Sequence, residues 1–267
     1  MNTKPLLLTC VLLVASLAAQ AGGDNDWQLR VKKENNGWSA SFHGTNEYGP
    51  AGKRVRGSGH QVEKERQIGA FSKLRVEGPV DVQLSQGAAE KLSVLADDNI
   101  EPLVETRIEG DTLIVRVQHG AGYSTRHDVV ARVQFKQMNA LEISGSGDVR
   151  LERLKGEALN VAISGSGDLE VGLIEVKNLA VNIDGSGDVQ IAGRADTQSW
   201  RLSGSGDVDA EALSGRSAMA SLSGSGDLNL GVVEQLDARL SGSGDLNYAG
   251  RPQLTQRVSG SGEISSR

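Results

Sequence analysis

The side chains best spaced to do chemistry are seven acids, Asp148, Asp168, Asp188, Asp207, Asp227, Asp245 and Glu263, which recur at intervals of 20, 20, 19, 20, 18 and 18 residues. Each closes a Ser-Gly-Ser-Gly corner, or a one-residue variant of it, beginning at Ser144, Ser164, Asp184, Ser203, Ser223, Ser241 and Ser259. A carboxylate beside a glycine-rich bend can cap backbone N–H groups of its own corner as an Asx-type turn, or join its neighbours in collecting a cation such as Ca²⁺. Calcium takes about six to eight oxygens, and glycine-rich calcium rolls repeat about every nine residues, bringing ligands of successive turns together. One acid per coil in single file is a poor cage. The acids therefore read as a structural turn and capping row, and no metal or other cofactor is expected.

Other chemistry finds little to work with. His43, His60, His119 and His127 are scattered, Cys10 is the one cysteine, and there is no Gly-x-Ser-x-Gly elbow, so neither a nucleophilic triad nor a zinc spacing can be written. No helix signal or Lys follows the Gly-Ser-Gly corners, as a phosphate loop would require. Asp97-Asp98, beside Asn99 and Pro102, reads as a turn rather than a pair of catalytic acids. No catalytic residue is assigned.

The elements that carry the acidic row follow from the flanking residues. Five positions before each acid stand Ile143, Ile163, Ile183, Leu202, Leu222, Leu240 and Val258; one position after stand Val149, Leu169, Val189, Val208, Leu228, Leu246 and Ile264. Seven before and three after are also mainly apolar, as in Leu141, Val161, Val181, Trp200 and Leu151, Val171, Ile191. Each repeat is thus two short strands of period two around a bend. One coil cannot bury such a face alone, but stacked coils can, which predicts an all-β, single-stranded parallel β-helix (β-solenoid) with coils of 18–20 residues. Corner glycines are expected where stacked backbones approach or the bend takes positive φ. The acids, next to an inward position, should face outward about 4.8 Å apart.

A worn copy lies upstream, where Val76, Gly78, Asp81 and Val82 hold the same offsets. The stretch 91–139 alternates less regularly and is expected to form larger coils. Residues 1–21 read as a signal peptide: Lys4, the apolar run 6–18, then Ala19-Gln20-Ala21 as a cleavage site. Residues 22–57 form a leader with a β-hairpin suggested by Trp27-x-Leu29 and Trp38-x-Ala40-x-Phe42 around Asn35-Asn36-Gly37; Trp27, Trp38 and Phe42 are candidate sugar-stacking aromatics, against the blander reading of a hairpin cover. Lys53-Arg54-Val55-Arg56 reads as a solvated linker. The β-helix domain spans 58–267, with regular repeats over 139–267.

Removing the signal peptide, residues 1–21, leaves 27 Lys+Arg against 34 Asp+Glu and no cysteine. That balance disfavours nucleic acid as a partner, and the apolar run is too short for a transmembrane segment. Stability must come from burial and backbone pairing rather than disulfides.

The exported leader, Phe71-Ser-Lys-Leu-Arg-Val-Glu-Gly with Val80-Asp-Val-Gln-Leu, Ala96-Asp-Asp-Asn-Ile, Glu109-Gly-Asp-Thr-Leu and the repeated Ser-Gly-Ser-Gly-Asp together resemble the auto-transporter adhesin head domain family, the head GIN domain, over 57–267. The resemblance implies a right-handed β-helix in an exported bacterial protein of the periplasm, cell surface or medium, non-catalytic and adhesin-like, with a glycan or other cell-envelope component as partner. No translocator barrel pattern follows the repeats. The competing classes are a passive envelope or matrix protein and a carbohydrate-active β-helix enzyme. Exposed aromatics beside a groove would favour binding, uniformly polar faces a passive role, and acids converging with Arg in a cleft an enzyme.

Overall fold

A computed structural model describes Trp27–Glu34, Gly37–Gly44 and Arg54–Arg267. Trp27–Glu34 and Gly37–Gly44 pair antiparallel from Trp27↔Gly44 to Glu34↔Gly37, while Asn35 and Asn36 of the expected turn lie outside the described residues. Residues 1–21, including the proposed signal peptide and Cys10, lie outside the described residues. The second compact unit, Arg54–Arg267, is a β-solenoid, and its one helical element is a short 3₁₀ turn, Glu101–Leu103.

Two parallel ladders meet at the corner. The ladder before it aligns Val76, Ile143, Ile163, Ile183, Leu202, Leu222, Leu240 and Val258 in one column. The ladder after it aligns Val82, Val149, Leu169, Val189, Val208, Leu228, Leu246 and Ile264. Alternation sends these residues inward, and from Val76 to Leu240 and Val82 to Leu246 they are buried. Trp200 is buried too, its indole N–H donating to Gln198 Oε1 at 3.2 Å, so its polar edge is satisfied. The last coil differs. Among the described residues its strands pair only with the coil before them, and Val258 is 45% exposed.

The worn copy stacks directly on the first regular coil: Lys73–Glu77 pairs with Ala140–Ile143, and Asp81–Gln86 with Val149–Lys155, although 67 residues separate Asp81 from Asp148. The intervening stretch does not form larger coils between them. Thr112–Val117 and Val130–Phe135 extend the two ladders outward in parallel. Antiparallel strands then close the end: Val104–Glu109 on the first ladder, and Lys91–Asp97 followed by Gln61–Arg66 on the second. Antiparallel pairing lets the chain reverse through short turns, whereas another parallel coil would need a full circuit. This end is locked by Glu101, buried and held by Arg66 at 2.7 Å and Lys64 at 2.8 Å.

Candidate functional site

The corner is built by close approach. A Cβ on Gly165 would fall well inside contact distance of the Gly145 carbonyl, and the same collision recurs at Gly185, Gly204, Gly224, Gly242 and Gly260 against the coil before each. None of these glycines has positive φ, contrary to one of the two reasons expected; only Gly78, at the same place in the worn copy, does, with φ 83°. The carbonyls they approach are in use. Ser166 N–H donates to Gly145 O at 2.9 Å, and Ser186 N–H to Gly165 O at 2.9 Å, so a side chain at the corner would break the inter-coil bond as well as collide.

The seven acids form one row along this corner, exposed except for a half-buried Asp227. Their carboxylates do not fold back on their own corners. Each Oδ1 accepts the backbone N–H of the equivalent acid one coil on: Asp81 from Asp148 (2.9 Å), Asp148 from Asp168 (3.0 Å), Asp168 from Asp188 (2.8 Å) and Asp188 from Asp207 (2.8 Å). Asp207 likewise accepts from Asp227 (2.8 Å), Asp227 from Asp245 (2.7 Å) and Asp245 from Glu263 (2.8 Å). The row is thus a column of charge-assisted bonds that staple coil to coil at a point where the strand ladder turns away. At Asp81, burial pushes the carboxyl above its ordinary value; the Asp148 N–H opposes this, and the charges of Asp148 and Asp128 add to it. Among the described residues no group of three His, Cys, Asp or Glu is placed to hold a metal ion.

A second arrangement, at the antiparallel end, was not legible from the repeat. Val55–Arg56 is no free linker: it pairs in parallel with Tyr123–Ser124, Val55 N–H donating to Gly122 O and Gly57 N–H to Ser124 O, both at 2.8 Å. The pairing closes a cleft of about 770 Å³ lined by Arg54, Arg56, Ser58, Thr125, Arg126 and His127, with Asp97 at its base. Asp97 has a side chain only 1% exposed and accepts from Thr125 Oγ1 at 2.8 Å and from His127 Nδ1 at 2.8 Å. The His127 bond holds its carboxyl below the ordinary aspartate range; burial opposes this, and Thr125 and the Gly59 backbone N–H assist. Gly57 is required here, because a Cβ would run into Asp97 Oδ2, and Gly59 turns with φ 86°. Among the described residues no hydroxyl is hydrogen-bonded to His127 Nε2.

Asp97 does end its strand at a turn, Ile100 N–H donating to Asp97 O at 2.8 Å, while Asp98 accepts from Ser58 Oγ at 2.5 Å. His60 and His119 are exposed. His43 lies in the hairpin, as do Trp27, Trp38 and Phe42, which stand opposite Gly44, Lys33 and Leu29 in its register.

Residues 70–252 match a family model described as "Putative auto-transporter adhesin, head GIN domain". No curated protein matches the sequence. Among solved structures, a "putative adhesin" from Bacteroides fragilis NCTC 9343 superposes with a TM-score of 0.75 at 23% identity, covering 80% of this chain and 100% of that one. A "putative adhesin" from Parabacteroides distasonis ATCC 8503 gives 0.65 at 22% identity over 80% and 100%. A "putative lipid binding protein" from the same organism gives 0.67 at 26% identity over the same shares.

Proposed function

The chain belongs to the head GIN domain family, and from that membership and the geometry above we propose that it is an exported, non-catalytic binding module of the cell envelope, adhesin-like in its use of a rigid β-solenoid to present a surface to a glycan or another envelope component. The observation that carries the reading is the unbroken stack. Its columns keep apolar residues inside from coil to coil and present an outer face that is not uniformly polar, with Met219 and Val232 exposed among charged, amide and hydroxyl groups, a surface suited to contact rather than to enclosing a substrate. The signal-peptide reading of residues 1–21 supports export, with mature protein starting at Gly22. Sugar stacking by Trp27, Trp38 and Phe42 is a further element of the proposal.

Cell fractionation with N-terminal sequencing tests the export half. Mature chain beginning at Gly22 and recovered from periplasm, surface or medium is the expected result; chain that retains Met1 and stays in the cytoplasm would overturn it. The carbohydrate-active alternative predicts release of new sugar ends from envelope polysaccharide, and the proposal predicts none.

A further inference from the structure

The cleft at the antiparallel end has an unusual charge balance for this chain. The whole sequence carries a formal charge of −6, yet three guanidinium side chains, Arg54, Arg56 and Arg126, line one opening. Elsewhere most arginines have a carboxylate partner, as Arg66 has Glu101, Arg75 has Glu142, Arg116 has Glu105 and Arg150 has Glu170; among the described residues Arg153, Arg201, Arg251 and Arg257 also lack one, but they do not line this opening. Among the described residues, Arg54, Arg56 and Arg126 have none. The one acid lining the cleft, Asp97, is buried beneath it and already engaged by His127 and Thr125. Its bond to Nδ1 also fixes the imidazole ring, and among the described residues none is hydrogen-bonded to Nε2 on the opposite ring edge.

Three guanidinium groups without an ion-pair partner among the described residues add up to positive charge around one opening, an arrangement that is useful when an anion enters. Guanidinium groups donate paired N–H bonds in a fixed plane, which suits an oxyanion with several acceptor atoms. The opening, about 770 Å³, exceeds what a free oxyanion needs and leaves room for the molecule that carries it. We propose that this cleft is a recognition site for phosphate groups on an anionic envelope molecule, held by Arg54, Arg56 and Arg126 with His127 at one side. The inference rests on the binding-module reading and gives it a location and a ligand class.

The test titrates the purified full chain with inorganic pyrophosphate, with phosphatidylglycerol vesicles against phosphatidylcholine vesicles, and with glucuronate as a carboxylate control, following heat or co-flotation. Saturable pyrophosphate binding that weakens about tenfold in both Arg56→Gln and Arg126→Gln, and less in Arg126→Lys, is expected, since charge alone does not replace the paired donors. Arg257→Gln, at the far end of the solenoid, should bind like the parent. These arginines are exposed, so the variants should keep the parent's melting temperature. Vesicle binding lost in the same variants would assign the phosphate to a lipid headgroup; pyrophosphate binding without vesicle binding would assign it to a soluble or glycan-borne phosphate. The proposal is overturned if no saturable binding occurs, if Arg257→Gln weakens it as much as the cleft variants do, or if glucuronate binds as tightly as pyrophosphate. Envelope-fraction binding that survives Arg56→Gln and Arg126→Gln would overturn this site while leaving the binding-module function standing.

Discussion

At the scale of single residues, glycine and aspartate at the corner do different work, and each can be removed separately. Gly165 lies where a side chain would strike the Gly145 backbone, whereas Ser166 points into solvent from the same corner. Gly165→Val should therefore destabilise by about 3 kcal/mol or more, against about 0.5 kcal/mol or less for Ser166→Val, in matched thermal or denaturant melts. Equal effects would remove the close-approach argument. Asp188 accepts the Asp207 N–H at 2.8 Å. Asp188→Ala should cost about 1–2 kcal/mol, more than deletion of an unbonded surface charge, because a charge-assisted bond between coils is lost. With one carboxylate oxygen of each acid from Asp148 to Asp245 committed to the next coil, added Ca²⁺ or a chelator should leave the melting temperature unchanged; a large calcium-dependent rise would make the row a metal site.

Glu101 sets a pH dependence at the closed end. Burial pushes its carboxyl up, but hydrogen bonds and charge from Arg66 and Lys64 outweigh this and hold it below the ordinary glutamate value. A folded-state value below the unfolded one contributes stability above the unfolded value, about 4.3, and loses it as pH falls through the lowered folded value. Hydrogen exchange in Gln61–Arg66 should accelerate in that acid range before the regular coils loosen, and Glu101→Gln should flatten the response. An unchanged acid profile in that variant would contradict the assignment.

Between elements, stability follows the inward columns. Ile163 is 1% exposed and stacked between Ile143 and Ile183. Ile163→Asp would place a carboxylate in an apolar stack and should unfold the domain, because the cost, several kcal/mol, is comparable to the total stability of a domain, about 5–15 kcal/mol. A variant melting like the parent would mean the register is wrong. The columns were legible because each repeat writes the same two-residue alternation around the same corner. The closed end was not, since its antiparallel strands alternate in the same way as parallel ones, and period alone does not say which direction a strand runs. The outward exposure of the acidic row was legible; its bonding was not, because the N–H each Asp binds belongs to the next acid, about 20 residues away, and not to its own corner, where an Asx-type cap was expected. Of the cleft, the sequence showed only the basic run holding Arg54 and Arg56, which reads as a linker; Val55–Arg56 joins Arg126 and His127 only through pairing with Tyr123–Ser124.

For the molecule as a whole, the solenoid has one end closed by antiparallel strands and the buried Glu101, and the other where Val258 is exposed. Among the described residues no helix is long and apolar enough to cross a membrane. A negatively charged chain that presents a cationic cleft at one end offers two electrostatically different surfaces, which suits engagement of an anionic envelope component by the cleft while the rest is repelled from it. The central claim is non-catalytic binding, and the most direct measurement is an isotherm of the fluorescently labelled chain on isolated cell-envelope fractions, with the supernatant assayed for released sugar ends. The account predicts saturable binding to at least one fraction and no release over time; binding to no fraction, or fragments accumulating with time, would contradict it.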